Sequence, residues 1–367
     1  MRDIDQALVP VLSSPPEAKH AAGKRVFQGI PGMEITPSGR LWATWYGGGA
    51  TEGPENYVIL STSTDGGGSW REVRVIDPPG FVRAFDPGLW LDPKGRLWWF
   101  WSQCYSRQDG HINDGRSGVW VSIADDPENP RWGAPMRIAN GVMMNKPTVL
   151  SYGAWAFPSA VWANMGGCDA LPELKAERFS SVVTSFDEGR TFAFAGGADV
   201  PFRCFDEHMV VERGDGRLWM LVRTLYGIGQ SFSRDGGRTW TPGCDSLLGG
   251  PNSRFFIRRL ASGRLLFVNH RVDPENPGHR KNLVATLSED DGKTWKGELM
   301  LDERAGVSYP DGAQAEDGSL WVIYDHDRYR GGNILLVHFT EEDILAGRLV
   351  SKAARLRIPV SSYPFKP

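Results

Sequence analysis

Residues Asp215 to Trp240 read DGRLWMLVRTLYGIGQSFSRDGGRTW. The stretch opens on a turn pair, Asp215-Gly216, and runs into a row of bulky apolar residues from Leu218 to Val222, the pattern of a hairpin whose second strand begins just after the glycine. It closes on Ser233-x-Asp235-x-Gly237-x-Thr239-Trp240. In such a turn the aspartate accepts backbone N–H bonds, the glycine takes a conformation other residues avoid and the aromatic packs between layers. Both halves recur along the chain. The first returns as SGRLWATW from Ser38, KGRLWWFW from Lys94, SGRLLFVN from Ser262, DGSLWVIY from Asp317 and, more weakly, YGAWAFPS from Tyr152. Its glycines are Gly39, Gly95, Gly153, Gly216, Gly263 and Gly318, spaced by about 56 residues on average, the length of a four-stranded blade with its loops. The second half returns at one phase of that repeat, from Ser63 to Trp70, Ser185 to Phe192 and Ser288 to Trp295. Degenerate copies are expected from Ser122 to Trp132 and from Thr340 to Gly347.

Six such units predict an all-β chain, a six-bladed β-propeller of antiparallel four-stranded blades, spanning 1–367 as a single domain. A ring must close without free edges, and the tail near Leu356 to Val360 is the expected strand for pairing the two chain ends in one blade. Composition agrees. The 367 residues include 44 Gly and 25 Pro for turns and 15 Trp, 17 Phe and 9 Tyr for strands. With 41 Lys+Arg against 44 Asp+Glu the net charge is −3, which gives no case for nucleic acid or an anionic membrane. Cys104, Cys168, Cys204 and Cys244 match no CxxC metal or redox spacing. MRDIDQALVPVLSSPPEAKH carries no apolar run long enough for a signal or a membrane span, so the chain reads as cytoplasmic, or as secreted or periplasmic if a leader has been removed.

In a blade the innermost strand starts near the axis and the second strand returns to the same face. Nine residues ahead of each hairpin glycine lie Ile30, Asp86, Met144, Glu207, Arg254 and Tyr309; seven beyond lie Tyr46, Ser102, Ala160, Arg223, His270 and Asp325. Glu, Tyr, Arg and Asp gathered around one axis suit a polar, anionic ligand. The Asp-turn motifs at the rim are read as structural. Asp325-His326-Asp327 has the look of a metal triplet, but alternation along a strand points His326 away from the carboxylates, so no metal is assigned. His111 and Asp114 fall in a long loop expected over the mouth.

The S-x-D-x-G-x-T-W motif is the Asp-box, and Asp-boxes on a six-bladed repeat resemble the sialidase (neuraminidase) superfamily over nearly the whole chain. Glu207-His-Met-Val-Val-Glu, with Arg223 sixteen residues on, resembles the stretch bearing that family's catalytic Glu and one arginine of its carboxylate-binding triad. Arg280-Lys-Asn282-Leu283 is similar to the segment of another triad arginine, and Val307-Ser-Tyr309-Pro-Asp311 to that of the nucleophilic Tyr. Asp86 stands where the family places an acidic pocket residue. The family's opening F-R-I-P is replaced by Phe27-Gln28-Gly29-Ile30-Pro31, which removes a guanidinium. Gln28 offers a neutral amide in its place, and Arg254 is a candidate to restore the charge.

The resemblance implies a retaining exo-glycosidase acting on terminal α-linked sialic acid or a related ulosonic acid, with a sialylated or other acidic glycan as partner and no cofactor. Tyr309 would be the nucleophile and Glu207 its base. Arg223, Arg280 and Arg254 would hold the carboxylate, with Asp86 and Gln28 in the substrate pocket. Glu55 or Glu52, in the glycine-rich loop after the first blade's second strand, would be the acid/base. Two alternatives stay open: a polysaccharide lyase acting on uronic-acid glycosides through Tyr309 and His208, His270 or His326, and a glycan-binding propeller without catalysis.

Overall fold

The computed structural model describes residues 8–107, 110–112, 116–162 and 171–364. Six antiparallel sheets follow one another along the chain. Blade one is Gln28–Ile35, Leu41–Gly47, Tyr57–Ser63 and Arg71–Ile76; blade two is Val82–Leu91, Leu97–Arg107, Gly118–Ala124 and Met136–Asn140. Blade three is Thr148–Val149, Trp155–Ser159, Ser180–Ser185 and Ala193–Ala198; blade four is Met209–Glu212, Leu218–Thr224, Gly227–Ser233 and Cys244–Asp245. Blade five is Phe256–Arg259, Leu265–His270, Leu283–Ser288 and Lys296–Asp302; blade six is Val307–Gln314, Leu320–His326, Asn333–Phe339 and Arg355–Ser361. Together they make a six-bladed propeller. The only α-helix among the described residues is α1, Glu341–Ala346, and no helix is long and apolar enough to cross a membrane.

One backbone detail repeats six times. Gly39, Gly95, Gly153, Gly216, Gly263 and Gly318 all sit in the left-handed region, with φ of 85°, 78°, 89°, 78°, 85° and 85°. Each donates its N–H to the carbonyl three residues back. A Cβ at this φ is strained, so the turn that starts every second strand demands the glycine the sequence supplies there.

The four Asp-boxes form one network. Asp65, Asp187, Asp235 and Asp290 each accept the backbone N–H of the residue four on, at 2.8–2.9 Å, and that residue's hydroxyl at 2.6 Å. Those hydroxyl bonds are the main reason why Asp65, Asp187 and Asp235 are held down to about 2. The motif glycine leans on the preceding blade: a Cβ on Gly189 would strike Trp98 at 2.2 Å, and one on Gly292 would strike Trp219 at 2.4 Å. Gly67 of blade one meets Leu336 and Ile358 of blade six in the same way, so the contact runs round the closed ring. Neither degenerate copy forms this network. Asp126 caps Glu128 N instead, and Thr340 caps α1, which ends on Gly347 at φ 65°.

Ring closure differs from expectation. Arg355–Ser361 is a strand, but it pairs with Asn333–Phe339 as the outer strand of blade six, and the chain start adds only Leu12–Ser13 to the rim of blade one. The tail follows α1 directly, so the nearest open edge is that of its own blade. Side chains close the ring: Asp325 Oδ2 accepts Ile30 N at 2.8 Å and Asp311 Oδ2 accepts Met33 N at 2.9 Å. Between blades the core is aromatic. Trp98 joins Trp90, Trp155 and Phe157, while its neighbour Trp99 joins Trp42, Trp101 and Trp132 on the opposite face, as strand alternation requires.

Candidate active site

The inner strands do not run straight into the axis. In blades one, two and six a residue with positive φ precedes a proline at the same register: Ile30 at 57°, Asp86 at 46° and Tyr309 at 56°. Each lies in an irregularity of the first hairpin. The left-handed region costs a branched or bulky residue about 1–2 kcal/mol, and such strain is kept where the surrounding fold imposes a side-chain direction. Asp206 at φ 42°, Asn282 at 55° and Asp327 at 54° stand within two residues of Glu207, Arg280 and Arg328. The charged mouth is thus framed by strained backbone on several blades.

Three residues from two blades, four and six, meet there. Tyr309 OH donates to Glu207 Oε1 at 3.1 Å, and Arg223 Nη1 donates to that same oxygen at 2.6 Å and to Tyr309 OH at 3.1 Å. Glu207 Oε2 is buried and meets no donor among the described residues. Arg223 rests on the Phe205 ring, 4.7 Å from its centroid. Burial, joined by the Glu207 charge, pushes the Tyr309 phenol up, and Arg223, Arg280 and Arg328 oppose it. At rest the hydroxyl keeps its proton, with an acceptor already in contact. This is how a weak nucleophile is paired with a base.

Asn252 links two of the cations. Its side-chain Oδ1 accepts Arg223 Nε at 2.5 Å and its backbone carbonyl accepts Arg280 Nη2 at 2.8 Å. Arg280 lies 5.4 Å from the Tyr309 ring centroid and, among the described residues, pairs with no carboxylate. Arg328, a residue the strand register passed over, lies on the loop after Leu320–His326. Its guanidinium is 4.6 Å from the same ring centroid. The signal for it lies in Asp325-His326-Asp327-Arg328, where the arginine follows the metal-like triplet directly.

Other expected residues are placed differently. Glu55 is exposed, its carboxylate folded toward Gly49, whereas Glu52 faces the mouth with Oε1 at 3.4 Å from Arg328 Nη1. Gln28 is fully buried between blades one and six. It donates to Gly332 O at 2.7 Å and accepts from Arg25 and Trp45, each at 3.1 Å. Arg254 is fully buried and donates to Asn145 Oδ1 at 2.7 Å, to the carbonyls of Pro31 and Met144 at 3.2 Å and to Asp311 at 3.4 Å. Gln28 spends both amide hydrogens on blade contacts, and Arg254 spends four of its five N–H groups there. Met144 and Ala160 pack with Phe85 and Trp162. Asp114 and Cys168 lie outside the described residues, and His111, in Gly110–Ile112, is described by its backbone alone.

Asp86 is 3% exposed, and burial pushes its carboxyl up to about 8; Arg83 opposes this while Glu207 and Glu52 add to it. It therefore carries a proton at neutral pH. The folded state holds that proton over a range where the unfolded chain has lost it, so the contribution of Asp86 to stability is full below about pH 4 and declines as the pH rises to about 8. The slope is at most about 1.4 kcal/mol per pH unit. Asp86→Asn is expected to raise the melting temperature at pH 8 by several degrees and to flatten its decline between pH 5 and 8; an unchanged slope in calorimetry would contradict the placement.

No group of three His, Cys, Asp or Glu side chains among the described residues could hold a metal ion. A cavity of about 240 Å³ lined by Met209, Phe256, Arg258 and Lys146 lies further along the inner strands. It contains no nucleophile beside a base, and the mouth does.

The BNR repeat-like domain family matches residues 39–322 of the chain. No curated protein matches it in sequence. Among solved structures it is similar to the Hadza microbial sialidase Hz136, with a TM-score of 0.65 at 19% identity over 86% of this chain and 66% of that one. It is also similar to a protein of unknown function from Dyadobacter fermentans, with a TM-score of 0.65 at 17% identity over 90% and 97% of the two chains. A third is the intramolecular trans-sialidase from Ruminococcus gnavus in complex with oseltamivir carboxylate, with a TM-score of 0.66 at 14% identity over 90% and 98%. The chain thus spans just under two thirds of the first of these, and at such identities the likeness is one of fold.

Proposed function

The chain belongs to the BNR repeat-like domain family, and from that premise we propose that it is a retaining exo-glycosidase of sialidase type, hydrolysing terminal α-linked sialic acid or a related ulosonic acid. The observation that carries this is the contact of Tyr309 OH with Glu207 Oε1 at 3.1 Å, with Arg223 bonded to both. The anomeric carbon of a 2-keto sugar acid bears a carboxylate. An attacking carboxylate would be repelled by it, and a neutral phenol would not. Glu207 takes the phenolic proton as Tyr309 attacks. Arg223 and Arg280 hold the substrate carboxylate, and their charge is worth most in a site that excludes water. Glu52, facing the mouth, protonates the leaving oxygen and then activates the water that releases the sugar; protonated Asp86 donates a hydrogen bond to the substrate.

Elimination from a uronic acid is the less favoured reaction. His208 is buried with both ring nitrogens against backbone carbonyls, and burial pushes His270, bonded to Val307 O, down to about 4. His326 contacts Asn333, away from the Tyr309 and Glu207 pair. None of the three is placed as a proton carrier beside Tyr309. Incubation with sialylated glycans and uronic-acid glycosides tests the choice: free sialic acid by mass spectrometry supports hydrolysis, and an unsaturated, ultraviolet-absorbing product without it overturns the proposal.

Asn252 gives a further check. Asn252→Ala removes the acceptor of Arg223 Nε, a hydrogen bond to a charged group worth about 1.5–3 kcal/mol. The expected result is a rise in KM for a sialoside of about tenfold or more together with a fall of a few degrees in melting temperature; an unaltered KM would show that Arg223 needs no such support.

A further inference from the structure

Arg254 was the expected source of the guanidinium missing at Gln28, and it is spent inside the ring. Another arginine occupies the relevant space. A Cβ built on Gly29 would lie 2.9 Å from Arg328 Cδ, 3.1 Å from Arg328 Cβ and 2.9 Å from Asp325 Oδ2. A side chain at position 29 and the side chain of Arg328 therefore compete for one volume. Gly29 is not among the glycines with positive φ, so what this site asks of it is room.

The loop that carries Arg328 is held by the residue that replaced the arginine. Gln28 Nε2 donates to Gly332 O at 2.7 Å, and Gly332 N and Arg330 N donate to Asp327 O at 3.1 and 2.9 Å. Tyr363 secures the loop from the outside. Its OH donates to Arg328 O at 2.9 Å and its N–H to Gly331 O at 3.1 Å, while its ring packs so close to Gly332 that a Cβ there would stand 2.2 Å away. Arg328 is held more loosely by its neighbours than Arg254. Its hydrogen bonds to Glu52 and Ser308 are both 3.4 Å long, and its approach to Asp325 is 3.7 Å. Asp325 is itself occupied by Ile30 N and by Ser308 Oγ at 2.6 Å. Arg328 and Arg280 both lie against the Tyr309 ring, and an incoming carboxylate would replace weak contacts of Arg328 with a strong one.

We infer that Arg328 supplies the third guanidinium for the ligand's carboxylate from across the ring closure, with Gly29 vacating the space and Gln28 fixing the loop. This rests on the acidic-sugar assignment above. It is tested by calorimetric titration of the full chain with free sialic acid, its methyl ester and glucuronic acid. Arg328→Ala is expected to weaken sialic acid by about thirtyfold or more and to leave the uncharged ester unchanged, with Arg328→Lys in between. Melting temperatures verify that both variants are folded. The double variant Gly29→Arg with Arg328→Gly returns the charge from blade one and is expected to regain a large part of the affinity lost by Arg328→Gly alone. Folded Arg328 variants that bind sialic acid as the parent does would overturn the inference and leave the sugar assignment standing. Arg328-dependent binding of glucuronic acid in place of sialic acid would do the reverse, and a parent that binds neither acid would overturn both.

Discussion

Tyr309→Phe is expected to lower kcat on an α-sialoside by on the order of a thousandfold or more, while the Kd for free sialic acid stays within about threefold of the parent. The substitution removes one oxygen atom from a residue that is 6% exposed, so the packing of the ring under Arg280 and Arg328 is preserved. In the proposed mechanism, what is lost is the atom that bonds to the anomeric carbon and gives its proton to Glu207. Burial and the neighbouring Glu207 hold the phenol protonated at rest, so the nucleophile forms only as the proton moves. Glu207→Gln, which keeps an acceptor oxygen but takes away the base, is expected to show a loss of similar size. Short-time mass spectrometry of the parent with a slow substrate would find the sugar attached to the peptide containing Tyr309. A Tyr309→Phe enzyme turning over at the parent rate would remove the nucleophile from the mechanism.

The second large effect concerns stability. Arg254→Met is expected to cost on the order of 3–5 kcal/mol and to lower the melting temperature by roughly 10 °C, while the folded fraction retains the parent KM within about twofold. Arg254 lies beneath the mouth in a charged layer that ties the blades together. Its partners come from blades one and six and from the approach to blade three. Lys146 extends the layer to Leu89 O at 2.6 Å, Glu34 at 3.0 Å and Asp311 at 3.5 Å, and Asn145 reaches His208 O at 2.9 Å. Removing the guanidinium leaves Asp311 and several carbonyls buried and short of donors, which costs more than the pairing itself contributes. The opposite outcome, an intact melting temperature with collapsed affinity, would make Arg254 a ligand-binding residue after all.

Much of the candidate site's geometry is legible in the spacing. Glu207, Arg223 and Tyr309 share the mouth register of blades four and six, and they meet within 3.1 Å. Loops were harder. Glu52 and Glu55 share one glycine-rich segment with no period, and chain composition does not say which carboxylate turns toward the axis. The tertiary contact that distinguishes them is Glu52 with Arg328, a partner 276 residues away.

The amino-acid sequence by itself determined the number of blades, the place of every inner hairpin and the faces that pack, because these follow from a glycine needed at one φ and from strand alternation repeated six times. Only the tertiary structure decided which polar side chains remain available for chemistry. Arg254 has the register of the mouth and Gln28 stands two residues ahead of it, yet blades far apart in the chain take up their hydrogen bonds. Arg328 lacks that register and reaches the site because ring closure brings Gly29, Gln28 and Tyr363 around its loop. Periodicity fixes position along a strand, whereas hydrogen-bond capacity is settled by whichever neighbours the closed ring supplies.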